Sequence, residues 1–459
     1  MTAGTTRETF VSAFRVLEAD GTLGGPPWLR GLRREAIARF AERGLPAPRD
    51  EEWKYTSIAP IAAIEFDLGA DGTDDGLSED ATALFCVSPA WSRLVFVDGR
   101  YSARLSAIGP LPRGVRIQSL GEALIADAEM LRPHLVASGS AGASDAFAAL
   151  NAAFWRDGAF VYVPAGAGIA EPIQLLFVAS GSSPARVDHP RSLIVLERGS
   201  RATLVESHVT LGAEASYLTN ATTDIVVGDG AELDHYKIQG EGEAAFHIGR
   251  ARVRQARESR VGSCTVTFGG RLVRNEVKVR LEADAAGCAL NGLFVVGGRQ
   301  HVDTLTVVDH AAPRATSRQL YKGILDGRAR GVFNGRVVVR PGAHGTDAHQ
   351  TNKNLLLSDD VEVDSKPQLE IFADDVKCSH GAADGQLATD AVFYLKSRGL
   401  DEEAARTLLT FGFANEVLGK IRVEPLRAWV EALLTARLRG GRVVNEEPRE
   451  AAGKGTRCA

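Results

Sequence analysis

The sequence predicts a mainly β protein, with a parallel β-helix core held between an N-terminal and a C-terminal helical domain. Three observations carry that prediction. From about residue 158, short β-branched or alternating runs follow one another for over 200 residues, among them AFVYVPAG, SLIVLERGS, ATLVESHVTLG, TTDIVVGDG and GRVVVRPG. Each is bounded by Gly, Pro, Asp or Asn, the residues that end strands. Turn phrases recur loosely: ERGSRATL (Gly199) and GDGAELDH (Gly230) lie 31 residues apart, DAAGCALNGLF (Gly287) and LDGRARGVFNGRV (Gly327) 40 apart. Such recurrence favours coils stacked on one another over a single closed sheet. On both sides of this region the apolar spacing is helical. A stacked-coil core hides its strand edges everywhere except at its two ends, which need caps.

The elements follow in order. Residues 1–157 read as an N-terminal helical or α+β domain. In PPWLRGLRREAIARFAERGLPAP, Leu29, Leu32, Ala36 and Phe40 recur at helical spacing, with Pro27 suited to a helix start and Gly44 and Pro46 to its end. SRLVFVDGRYSARLS reads as a strand pair turning at Asp98-Gly99. Residues 120–156 are again helical. Trp53 and Tyr55, in EEWKYTSIAPI, alternate as in an edge element, and packing of the first domain on the β region accounts for them most simply. Residues 158–384 form the core. Residues 385–440 form the C-terminal helical domain: Leu387, Ala391, Tyr394 and Leu395 share a stripe that stops at Gly399. Asp401 then caps a second helix with Ala405, Leu408, Leu409 and Gly412 on one face. Pro425 opens a third, with Leu426, Trp429, Val430 and Leu433 apolar. Residues 441–459 are a polar tail.

Composition narrows the function classes. Of 459 residues, 44% are hydrophobic and 24% charged, as in an ordinary globular chain. A net charge of −5 gives no footprint for nucleic acid or an anionic membrane. MTAGTTRETF lacks a signal-peptide pattern, and no apolar run reaches the length of a membrane span. The five cysteines (Cys86, Cys264, Cys288, Cys378, Cys458) are widely spaced with no CxxC pair, which argues against disulfides and a Cys-rich zinc site and suits a cytoplasmic location. No complete phosphate loop is present: AAGKGTR has Pro448 where the first glycine belongs. HExxH and GxSxG are absent.

One phrase concentrates chemistry. FADDVKCSHGAADG (residues 372–385) places Cys378 and His380 two apart, on one face of an extended chain. Thiolate and imidazole both suit iron or zinc, yet a small buried cysteine and a hydrogen-bonded histidine are equally ordinary packing. Strand parity switches just before them, from Leu369, Ile371 and Ala373 to Val376, Cys378 and His380. A bulge or turn at Asp374-Asp375 accounts for the switch and is expected to re-aim the Cys378/His380 face outward. His344 and His349 are a weaker metal pair, read as turn and surface residues. His301 and His310, nine apart, are not paired.

KPQLEIFADDVKCSHGA, followed by FYLKSRGLDEEAARTLLTFGFANEVL, resembles the C-terminal signature of the SufB/SufD family of iron–sulfur cluster assembly proteins. EEWKYTSI resembles the SufD branch in particular. The resemblance spans roughly residues 25–435. It implies a right-handed parallel β-helix and a non-catalytic scaffold subunit that pairs with a SufB-like paralogue and docks a SufC-like ABC-type ATPase on the helices after residue 385. A homodimer of the isolated chain is a further expectation. His380, with Cys378 beside it, is implied as a ligand for iron or a nascent cluster at the partner interface, held transiently and shared with the partner. The stretch LLLSDDVEVD lacks the cysteine of the SufB branch, and Ala383 replaces the usual threonine of CSHGAT. The alternatives are a β-helix enzyme acting on polysaccharide, against which the few aromatics in the core argue, and a cupin-like metalloenzyme using His344 and His349.

Overall fold

The computed structural model describes residues 6–69, 77–141, 145–181, 185–211 and 215–439. The polar tail and Cys458 lie outside the described residues. Eight coils wind between residues 159 and 385, each giving one strand to each of two parallel sheets. One sheet stacks Ser92–Val97, Ile173–Ala179, Arg201–Thr210, Glu232–Gly240, Arg260–Thr267, Gly287–Val296, Thr316–Leu325, Asp347–Leu356 and Lys377–Gly385. The other stacks Ala159–Val163, Arg191–Leu196, Leu218–Val227, Phe246–Gln255, Leu272–Leu281, His301–His310, Arg330–Val339 and Glu362–Ile371. The structure is thus the mainly β, parallel solenoid that the short runs imply.

The repeat is set by one corner of the coil. There, from the second coil on, the backbone turns through the left-handed region once per coil, at Gly199, Gly230, Glu258, Ala285, Arg314, Gly345 and Asp375. The spacings are 31, 28, 27, 29, 31 and 30 residues, and they equal the offsets between Cα partners on adjacent coils, from Arg201↔Glu232 to Asp347↔Lys377. Each corner amide before the last bonds a carbonyl in the next corner, as in Gly199 N–H to Asp229 O at 2.8 Å and Gly345 N–H to Asp375 O at 2.8 Å. Only three of the seven are glycine, although a non-glycine residue there costs about 1–2 kcal/mol. That is why the sequence repeat looks ragged. The 31-residue spacing marks a true coil, whereas Gly287 opens a strand and is not a corner.

The segment before residue 158 also supplies strands. Ser92–Val97 starts one sheet, and Arg100–Tyr101 folds back on it antiparallel through Asp98-Gly99, whose φ angles of 53° and 76° make the tight hairpin turn. Arg116–Ser119 pairs antiparallel with Ala159–Val163 and closes the start of the other sheet.

Helices cover the outer faces of both sheets. The predicted helix is Pro27–Arg43, with proline first and Gly44 (φ 72°) last. The stretch 120–156 forms two helices, Leu120–Ala141, kinked at Asp127, and Ala146–Phe154, which is buried on all sides. A further helix, Arg7–Ala19, has its start fixed by a capping box between Thr6 and Thr9 and was not evident in the periodicity. Phe10, Phe14, Phe40, Phe147 and Phe154 pack with Leu218, Phe246, Ile248 and Leu272 of the second sheet. At the other side, Thr389–Ser397, Glu402–Leu418 and Glu424–Leu438 follow the solenoid. Asp401 caps the second of these, accepting from Ala404 N–H at 2.7 Å. Ala414, Val417, Leu418, Leu426, Val430 and Leu434 seal the outer face of the first sheet against Tyr236, Ile238, Cys264, Val266 and Leu293.

The EEWKYTSI segment is a clamp, as the packing account expects, though it forms a 3-10 turn at Glu51–Trp53 and no strand. Trp53 is buried under the Arg274 guanidinium, 4.1 Å from its ring centroid. Arg274 also pairs with Asp303 and, at 3.2 Å, with Glu276. Thr56 donates to Asp303 at 2.6 Å.

Candidate functional site

Asp374-Asp375 is a turn, and no bulge is needed. Asp375, at φ 53°, is the last of the left-handed corners, and the parity switch records passage from one sheet to the other. The next residues, Lys377–Gly385, form the final strand of the first sheet. Glu362–Ile371 ends the second. Among the described residues no strand pairs with the free edge of either.

The register fixes what each residue of the last strand sits on. Cys378 pairs with Ala348, His380 with Gln350, Ala382 with Asn352 and Asp384 with Asn354. These four partners are buried inside the solenoid. Successive residues of a strand alternate faces, so Cys378, His380, Ala382 and Asp384 point along the interior column. The expected outward aim of Cys378 and His380 is therefore corrected. They face inward, and His380 is exposed because no coil lies above it. Ser379, on the outward face, bonds His349 Nδ1 at 2.5 Å.

Cys378 is half-buried against Val337, Val339, Ala343 and Ala348, and burial pushes its thiol up. That environment resembles a packing position more than that of a reactive thiolate. Cys264 and Cys288 are fully buried, and burial alone pushes each up to about 12. His344 and His349 do not come together as a pair: His344 bonds the Asp374 carbonyl at 3.1 Å, and His349 lies 2.9 Å from Asp347. His301 bonds Thr56, and His310 bonds Ser317, at opposite ends of one strand. Among the described residues, no three His, Cys, Asp or Glu side chains converge to hold a metal ion.

Sequence reading missed a second polar region. Inside the earlier coils, Glu206 bonds His208 at 2.8 Å, Glu241 lies 2.7 Å from His247, and Lys237 donates to Asn275 at 3.1 Å. All are buried. Its signal was present as period-two polarity, Glu206/His208 and Lys237/Gln239/Glu241, on the face that carries Leu204 and Leu233.

The arrangement matches known proteins. Residues 177–413 match the SufBD core domain of the SUF system for iron–sulfur cluster assembly, and residues 5–175 match the SufBD N-terminal region. The chain is 32% identical to the iron–sulfur cluster assembly protein SufD of Escherichia coli, over 93% of this chain and 96% of that one. It is 33% identical to a SufBD family iron–sulfur cluster assembly protein of Synechocystis, over 88% and 90%. It is 23% identical to SufD of Bacillus subtilis, over 90% and 95%. With both family regions matched and relatives aligned almost end to end, the chain belongs to the SufBD family of iron–sulfur cluster assembly proteins.

Proposed function

We propose that this chain is a non-catalytic scaffold subunit that pairs through the open end of its solenoid with a SufB-like paralogue and presents His380 to iron or a nascent cluster held between them. The observation that carries the reading is the edge strand Lys377–Gly385. It is the last strand of its sheet, it is exposed, and it carries His380. Proteins commonly blunt exposed edges with proline or closely spaced charge. The neighbouring edge, Glu362–Ile371, is blunted in that way by Pro367 and by Glu362, Asp364, Lys366 and Glu370. KCSHGAADG has no proline, and its centre, from Cys378 to Ala383, carries no acidic or lysine side chain. Such an edge suits strand-to-strand pairing with a partner.

The ladder tells which amides are free. Lys377 N–H bonds Thr346 O at 2.8 Å, so alternate amides along the strand point back into the sheet, and those of Cys378, His380 and Ala382 point to the open side. Ala382→Pro removes an outward donor and leaves the solenoid's own ladder intact. The variant is expected to fold and to fail to assemble with the SufB-like chain in a pull-down. His380→Ala is expected to assemble and to build clusters poorly in the reconstituted complex. Normal cluster building by His380→Ala sinks its role, and failure of that variant to assemble makes the residue structural.

The C-terminal helices suit the docking of a SufC-like ATPase. Thr389–Ser397 buries none of its residues, and Phe393, Tyr394 and Leu408 are exposed at 72%, 55% and 50%. Beside them a cleft of about 680 Å³ is lined by Leu400, Thr407, Leu408, Phe411 and Leu438. An apolar exposure of this kind marks a partner surface. Removing the whole helical domain would uncover the sheet face it seals. Phe393→Ser with Leu408→Asp is the cleaner test, and undiminished ATPase capture by that double variant overturns the assignment.

A further inference from the structure

The column beneath His380 has an unusual composition. Across successive coils it reads Ile173, Leu204, His235, Ser263, Leu290, Gln319, Gln350 and His380. Leu290 belongs to the apolar interior. The next two positions are amides, and the last is the imidazole. Gln350 is 1% exposed, and neither its Oε1 nor its Nε2 has a hydrogen-bond partner among the described residues. Gln319, one coil below, is anchored by Thr306 Oγ1 at 2.8 Å, with its Nε2 unpartnered. A buried amide left without partners costs about 1–3 kcal/mol, so it needs an explanation. Gly335 on the facing strand makes room for it: a Cβ there would stand 2.1 Å from Gln350 Nε2. The space is shaped for the amide, yet as placed the amide bonds no group among the described residues.

We propose that Gln350 is the positioning residue for His380: turned from the unpartnered position seen here, its Oε1 accepts the proton of one ring nitrogen, so that the other nitrogen is presented at the open end as the ligand. Adjacent coils lie about 4.8 Å apart, within reach of a Gln side chain for the ring above it. A ligating histidine is usually held in one tautomer by such an acceptor. An amide fixes the ring without adding a charge beside the metal. This inference rests on the proposed role of His380 as an iron or cluster ligand.

The test reads the His380 tautomer and iron affinity separately. With ¹⁵N-labelled histidine, two-bond couplings in the full chain are expected to show one dominant His380 tautomer in the wild type and in Gln350→Glu, which keeps the acceptor. Gln350→Leu and Gly335→Ala, which remove or displace the amide, are expected to show a mixture. In the complex with the SufB-like partner, anaerobic Fe²⁺ titration is expected to give at least about tenfold weaker binding for Gln350→Leu. Should Gln350→Leu misfold, Gly335→Ala carries the same comparison. An unchanged tautomer and unchanged Fe²⁺ affinity in the variants that lack the placed amide overturn the proposal. His380→Ala separates the two readings. If it too binds Fe²⁺ like the wild type, the role of His380 falls. If it binds weakly while Gln350→Leu does not, only the positioning role falls.

Discussion

At its N-terminal end the solenoid carries Arg100–Tyr101 and Arg116–Ser119 laid antiparallel on its first strands, with helices over both outer faces. At its C-terminal end, Glu362–Ile371 and Lys377–Gly385 stop with their outer edges unpaired among the described residues. The same parallel ladder runs through both ends, so backbone propensity does not account for the difference. One end buries its polar chemistry in closed ion pairs, such as Arg186 with Asp98 and Asp188. The other leaves an exposed histidine and a half-buried thiol where a second chain can reach them, over a buried amide without a partner among the described residues. The closed end is built for stability and the open end for assembly. Substitutions in the covered coils and at the open end should therefore separate folding from function.

The largest effect is expected at the clamp. Arg274→Met leaves Glu276 and Asp303 buried with less compensation and takes the guanidinium off Trp53, which should destabilise the fold by about 3–5 kcal/mol. The check is the denaturation midpoint, set beside His380→Ala, whose exposed ring should matter by no more than about 0.5 kcal/mol.

Acid should act on the closed coils next. Burial, with Lys237 beside it, pulls His247 down to about 4 from 6.5, and burial likewise pulls His310 to about 4. A histidine lowered on folding stays neutral in the native state, so between about pH 6.5 and 4 the unfolded chain binds the extra proton. Stability should fall on acidification through that window, by on the order of 3 kcal/mol for His247. The slope measured across the same range should be flatter in His247→Gln than in the wild type.

The smallest effect concerns the corner. Ala285 holds a left-handed conformation that glycine adopts freely. Ala285→Gly should raise the midpoint of denaturation, with a gain in unfolding free energy of about 1 kcal/mol or less, the relieved strain being partly offset by the unfolded-state entropy of glycine. A loss of stability there would contradict the account of the repeat.

Much of this was legible in the sequence. Alternation and turn residues marked the strands, Pro27 and Gly44 bracketed a helix to the residue, and Asp401 announced the cap it forms. The coil length was not legible, because Glu258, Ala285, Arg314 and Asp375 occupy corners where glycine would have shown the period. The first strand, Ser92–Val97, lay outside the expected core because a helical stretch separates it from the rest. At the site, residue identity was legible through CSH, and direction was not: which face of a strand turns inward depends on the neighbouring coil. Gln350 is silent in sequence for the same reason, since its meaning comes from His380, thirty residues away along the chain and one coil away in space.

The central claim is that Lys377–Gly385 is an edge waiting for a partner strand. Hydrogen–deuterium exchange of this chain, alone and with the SufB-like paralogue, tests it most directly. The amides of Cys378, His380 and Ala382 point to the open side and should exchange fast alone and become protected in the complex, while those of Ser379 and Gly381, already bonded within the sheet, should change less. Equal exchange of the outward amides with and without the partner, while the two chains are demonstrably associated, would contradict the account.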